Sequence, residues 1–127
     1  MKLAGLWLLL AALFASTNFG ERPLRPGHWG GTGIVLTVRS LSTNIEFDCA
    51  QGMITQEFLV DRHGRFDLRG TYESGPIALP PPFHPAHYVG AVDGKMMRLM
   101  ITLDDTGETI GPFQLTRGVV PVIIKCL

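Results

Sequence analysis

The sequence has no concentrated block of charge. It carries 11 lysine and arginine residues against 11 aspartate and glutamate residues, and charged residues make up 17% of the chain. A nucleic-acid partner needs a concentrated positive surface, and a neutral surface gives no reason to bind acidic membranes. The composition therefore argues against both of these partner classes.

Motifs for catalysis or metal binding are also missing. His28, His84 and His87 are predicted to gather at one end of the fold, and three imidazoles can hold zinc or copper. However, no helix places them on one face, and their spacing matches no metal motif. His63 follows Asp61 in a turn, but no nucleophile lies beside this pair. We therefore expect no enzyme activity, no metal and no cofactor.

Cysteine is scarce, with only Cys49 and Cys126 in the chain. In an exported protein an even count of cysteines predicts a disulfide. The bridge would close most of the domain into one loop, and the stability of so small a core is marginal without it. Two free thiols are the alternative.

Only one long apolar run is present, and it lies at the start of the chain. Lys2 precedes an uncharged run from Leu3 to Phe14, and the small residues Ala15 and Ser16 follow. This order is typical of a secretory signal peptide, and the run is short of the roughly 20 residues of a membrane span. We predict a signal peptide at 1–15, an extended arm at 16–27 and one domain at 28–127, secreted or periplasmic, with no membrane insertion after cleavage.

From Trp29 onward the apolar residues alternate with a period of two, and no stretch of about ten residues shows helical periodicity with caps. We therefore predict an all-β domain of eight strands. The short turns between the runs mostly contain Gly, which supplies the positive φ of tight hairpins. The predicted runs centre on Ile34–Val38, Ile45–Cys49, Ile54–Val60, Phe66–Tyr72, Tyr88–Val92, Met97–Leu103, Phe113–Leu115 and Val120–Cys126.

The one long connection, Ser74 to His84, holds four prolines and favours a stiff polyproline segment. Regular short hairpins favour an eight-stranded antiparallel up-and-down barrel over a sandwich, and closure removes both exposed sheet edges. In such a meander Cys49 and Cys126 would end strands that run the same way. We expect the bridge at the end where the chain enters the barrel, near Trp29.

The residues from Gly27 to Trp29, the eight-strand meander and a basic residue late in the last run resemble the calycins, the lipocalin-like and avidin-like barrels. The stretch from Phe66 to Ser74 is similar to the fourth strand of avidins. The resemblance implies that Trp29 closes one end of the barrel beneath a basic side chain from the last strand, the position that Lys125 would fill. Biotin binding is not implied, because avidins line their pocket with several tryptophans, and Trp29 is the only one after the signal peptide.

An eight-stranded barrel either fills its interior with side chains or holds one small ligand. The first hypothesis is therefore a binding module for a small apolar or amphipathic ligand at the open end, opposite Trp29. Ile124 would also face the interior and help to fill it if no ligand is held. The candidate lining residues are Phe47, Phe58, Phe66, Tyr72 and Met97.

Two alternatives remain open at this point. The arm from Glu21 to Pro26 could block the cleft of a hydrolase, because its prolines make it cheap to order on binding. The domain could instead be structural and without a ligand, and associate with copies of itself through the apolar face that carries Met96 and Met100.

Overall fold

The computed structural model describes residues 20–75 and 83–126, and every regular element in these ranges is a β-strand. No helix that could cross a membrane is found among them. The predicted signal peptide at 1–15 lies outside the described residues, as does the centre of the proline-rich connection at 76–82.

Eight strands form one closed antiparallel barrel in up-and-down order, which confirms the predicted fold class. A separate two-stranded sheet pairs β1 (Arg22–Pro23) with β6 (Leu59–Val60). The barrel strands are β2 (Gly27–Gly31), β3 (Ile34–Val38), β4 (Thr43–Phe47), β5 (Ala50–Ile54), β7 (Arg65–Ser74), β8 (Phe83–Asp93), β9 (Met96–Leu103) and β10 (Thr109–Arg117).

The count of eight is right, but three of the eight predicted strands are placed wrongly. The run that begins at Trp29 is a hairpin of β2 and β3, which turns at Thr32 and Gly33, where Gly33 has a φ of 72°. The predicted last strand, Val120–Cys126, is not a strand. The prediction missed the strand β2 and added a strand at Val120–Cys126, so the total stays at eight. The barrel closes where β10 pairs with β2.

Residues 118–126, here named the strap, run back along the outside of the barrel. Their apolar side chains alternate as in a strand, but these residues do not belong to the sheet. The side chains of Val120, Val122 and Ile124 are 61%, 91% and 61% exposed. Gly30 lies beneath the strap, since a Cβ there would collide with the Val119 carbonyl and lie 2.6 Å from Pro121 Cδ.

The predicted third run, Ile54–Val60, is also broken. Strand β5 ends at Ile54, and the chain then crosses one end of the barrel, where Phe58 is 1% exposed. The arm is held at the same end, because β1 pairs with β6 and the Leu24 amide donates to the Phe58 carbonyl at 2.8 Å. We name this the arm end. It carries the β3–β4 and β8–β9 turns, whereas the β2–β3, β4–β5 and β9–β10 turns lie at the other end.

The interior of the barrel is filled by one continuous cluster of apolar side chains. Glycines on the inner face make room for the largest of them. A Cβ at Gly70 would lie 2.9 Å from the Tyr88 ring, and one at Gly90 would lie 2.8 Å from the Phe66 ring. Tyr88 is fully buried, and its hydroxyl donates to the Thr71 carbonyl at 2.6 Å. Burial raises the pKa of Tyr88 far above its usual range, so the phenol stays neutral.

The predicted disulfide joins Cys49 to Cys126, whose Cα atoms are 4.8 Å apart. Its predicted place near the chain's entrance is wrong, because Cys49 lies in the β4–β5 turn at the opposite end. We name this the disulfide end. The strap carries Cys126 there along the outside of the barrel, where the Cys49 amide donates to the Ile124 carbonyl and the Ile124 amide donates to Asp48 Oδ1, both at 2.9 Å.

Removing the bridge should destabilise the fold strongly. The two cysteines are 77 residues apart, and chain-entropy estimates for a loop of this length give about 4.5 kcal/mol. Urea unfolding of a Cys49→Ala/Cys126→Ala variant should show most of this loss. A change below about 1 kcal/mol would contradict this chain-entropy argument.

Candidate functional site

The five candidate lining residues do not surround one cavity. Phe58, Phe66 and Met97 are buried at or below 5% exposure, and the rings of Phe58 and Phe66 pack edge to face with centroids 4.8 Å apart. These three side chains belong to the core rather than to a ligand site. Phe47 and Tyr72 lie at the disulfide end, with their ring centroids 5.3 Å apart.

Ile124, the further residue expected in the interior, lies on the strap and outside the barrel. Its predicted position inside the barrel is wrong because Val120–Cys126 is not a strand of the barrel. Phe113 of β10 instead packs against Phe47, with ring centroids 5.8 Å apart. The interior of the barrel is therefore closed at the disulfide end by the rings of Phe47, Tyr72 and Phe113. Tyr72 and Phe113 are only partly buried.

Trp29 is buried at 1% exposure, but Lys125 does not cover it. The guanidinium carbon of Arg117 lies 5.8 Å from the centroid of the Trp29 ring. Lys125 is instead on the strap, where its Nζ donates to Glu46 Oε1 at 2.7 Å. The correction follows from the strand assignment, because β10 ends at Arg117, which pairs directly with Trp29 across the closing seam.

Arg117 and Lys125 form a natural pair of test positions. Arg117→Met should cost about 1 kcal/mol of unfolding free energy through loss of the cation–π contact and its packing. Lys125→Met should cost less than about 0.5 kcal/mol, because its ion pair with Glu46 is exposed to solvent. Denaturant unfolding of both variants checks the order, and a larger loss for Lys125→Met would contradict the correction.

A recess of about 140 Å³ opens at the disulfide end, between the strap and the ends of β4, β5 and β7. Its apolar surface comes from the disulfide together with Phe47, Ala50 and Ile124. The strap supplies one wall, which the disulfide and the two hydrogen bonds of Ile124 hold against the barrel. The other lining residues are Glu46, Gln51, Glu73, Gly75 and Lys125.

Three polar side chains form a row along one edge of the recess. Glu46, Gln51 and Glu73 pair in register across β4, β5 and β7. The Gln51 Nε2 amide donates to Glu73 Oε2 at 3.0 Å, while Glu46 accepts from Lys125. An apolar floor with a few convergent polar groups is the usual composition of a small-molecule site.

Two histidine–aspartate pairs hold the β9–β10 turn at the same end. His84 Nδ1 donates to Asp105 Oδ2 at 2.8 Å, and His87 Nδ1 donates to Asp104 Oδ1 at 2.7 Å. His28 is separate, within 3.2 Å of the Thr37 hydroxyl. Within residues 20–75 and 83–126, no group of three or more His, Cys, Asp or Glu is arranged to hold a metal.

The Asp105 pair makes stability depend on pH. The hydrogen bond from His84 holds the pKa of the Asp105 carboxyl below its ordinary value of 3.8. Because the folded-state pKa is lowered, the pair stabilises the fold above about pH 4, and this contribution is lost as the pH falls through the folded-state pKa. Asp105→Asn should therefore flatten the fall of Tm between pH 5 and pH 2 relative to the unchanged protein. Two parallel curves would contradict this assignment.

Sequence reasoning missed Arg117 and the polar row. Arg117 precedes Gly118 at the end of an alternating run, and a strand boundary placed there would have exposed its role. Glu46 lies between the inward-facing Ile45 and Phe47, so its outward orientation could be predicted from the alternation. Its pairing with Gln51 and Glu73 needs the strand register, which alternation alone does not supply.

Comparison of the chain with family models, with curated proteins and with solved structures found no match in any of the three.

Proposed function

We propose that the protein is an exported binding module that holds a small apolar or amphipathic ligand in the recess at the disulfide end. The observation that carries the proposal is the recess itself, with its apolar floor, its polar row and a wall fixed by the disulfide. The site is at the end that the sequence hypothesis favoured, but it lies at the rim of the barrel and not inside it.

The filled interior supports a site at the rim. A ligand between Phe66 and Met97 would have to displace closely packed side chains, and interiors at native density leave no room for one. Phe47, Ala50 and Ile124 line the recess, so a ligand that enters it meets apolar surface without disturbing the core.

Kinship with the calycins is part of the same proposal. The closed eight-stranded barrel is compatible with it, and the cation–π contact between Arg117 and Trp29 is the arrangement that the resemblance implies. Export is proposed from the signal-like run at 1–15 together with the disulfide, which is consistent with an oxidising compartment outside the cytoplasm. The periplasm and the cell exterior both fit.

The two alternatives have less support. An inhibitory arm would have to leave β6, because Arg22 and Pro23 pair with it and Leu24 packs against the core. For self-association, Met96 is 37% exposed and accepts a hydrogen bond from the Thr116 hydroxyl at 3.6 Å, so only part of that face is free.

Titration with 1-hexanol, followed by amide chemical shifts, tests the proposal. Shifts should centre on Ala50, Gln51 and Ile124, with affinity in the millimolar range expected of a ligand this small. Ala50→Phe should fill the recess and abolish these shifts.

Ala91→Phe, near the arm end of β8, is the matched control and should leave the shifts unchanged. Shifts centred on Phe66 and Met97 would instead place the ligand in the interior, and no saturable shift at all would remove the proposed site.

A further inference from the structure

Most charged side chains of the described residues lie at one or the other end of the barrel. Six carboxylates stand at the disulfide end with a single ammonium group and with the imidazoles of His84 and His87, which are hydrogen-bonded to two of these carboxylates. At the arm end, cations outnumber carboxylates. The disulfide end carries Glu46, Asp48, Glu73, Asp104, Asp105, Glu108 and Lys125. The arm end carries Arg22, Arg25, Arg39, Arg62, Arg65, Lys95 and Arg117 with Glu21, Glu57, Asp61 and Asp93.

The separation of charge between the two ends cannot be seen in the sequence, because the net charge is zero and no acidic block exists. The acidic residues come from the β4–β5 turn, the β9–β10 turn and the last residues of β4 and β7. An up-and-down barrel brings alternate turns to the same end, so scattered carboxylates meet there. Clustered charge of one sign raises the local concentration of the opposite sign at such a surface.

At the recess, Glu73 has no oppositely charged partner among the described residues. Lys125 is bound to Glu46, and the partner of Glu73 is the amide of Gln51, which is neutral. Among the described residues that line the recess, Lys125 is the only cation. Glu108, close by at this end, acts on Tyr72, whose pKa is raised first by burial and then by this carboxylate.

We propose that the recess selects a cationic group on a short aliphatic stem, an alkylammonium or a guanidinium. The stem lies against Phe47, Ala50 and Ile124, and the head lies at Glu73. The volume of about 140 Å³ equals that of about five water molecules, which matches a short chain with its head group. This inference rests on the proposed function, because it names the ligand class of the same site.

The test compares three probes of equal length by amide chemical shifts: pentylammonium, 1-pentanol and pentanoate. Pentylammonium should bind at least about fivefold more tightly than 1-pentanol, and pentanoate should not saturate. The advantage of the ammonium should shrink between about 20 mM and 500 mM salt, because exposed charges are screened over a few ångströms at the higher concentration.

Substitutions of the carboxylates test which of them binds the cationic head group. Glu73→Gln should abolish the preference of the recess for pentylammonium over 1-pentanol. Glu46→Gln should weaken pentylammonium as well, because Lys125 would lose its partner and repel the probe. Asp67→Asn is the matched control, a carboxylate on β7 that does not line the recess, and it should change nothing.

A last probe separates the two sources of such a group. Nα-acetyl-lysine methylamide should bind at least as tightly as pentylammonium if the ligand is a lysine side chain of a polypeptide, and more weakly if it is a free amine. Equal binding of pentylammonium and 1-pentanol, with no effect of Glu73→Gln, would overturn this inference and leave the proposed function standing. No shift at the recess with any probe would overturn both.

Discussion

Closure of the barrel depends on a short seam, and the disulfide holds the chain end that covers it. Strand β10 meets β2 in only two register pairs, Thr116 with Gly30 and Arg117 with Trp29. The strap then passes over Gly30 and ends at Cys126, which is bonded to Cys49. The bridge therefore holds in place the strap that covers the closing seam and that forms one wall of the recess.

The filled interior decides where a ligand can bind. Glycines at inward positions admit Tyr88 and Phe66, and these large rings leave no continuous lumen. The barrel then acts as a support, and the side chains available for binding lie at its ends. One end is closed by Phe58 and the arm, while the other carries the recess and most of the carboxylates. Function at the rim follows from a core that is too well packed to open.

Much of the fold could be predicted from the period-two alternation, since a clean run such as Ile45–Phe47 has only one reading. The failures have physical causes. Gly33 turned an apparently continuous run into a hairpin, and Pro121 lies in an apolar run that reads as a strand although proline cannot donate to a ladder. The site was harder to foresee, because Glu46, Gln51 and Glu73 meet only through strand register, and Arg117 took the position expected of Lys125 once β10 became the last strand.

A crystal structure of the protein soaked with a short-chain alkylammonium salt tests the central claim most directly. The account predicts density in the recess, with the chain between Ala50 and Ile124 and the head group within hydrogen-bond distance of Glu73, and an unchanged core. Density between Phe66 and Met97, with those side chains displaced, would show that the barrel binds in its interior and would contradict the account.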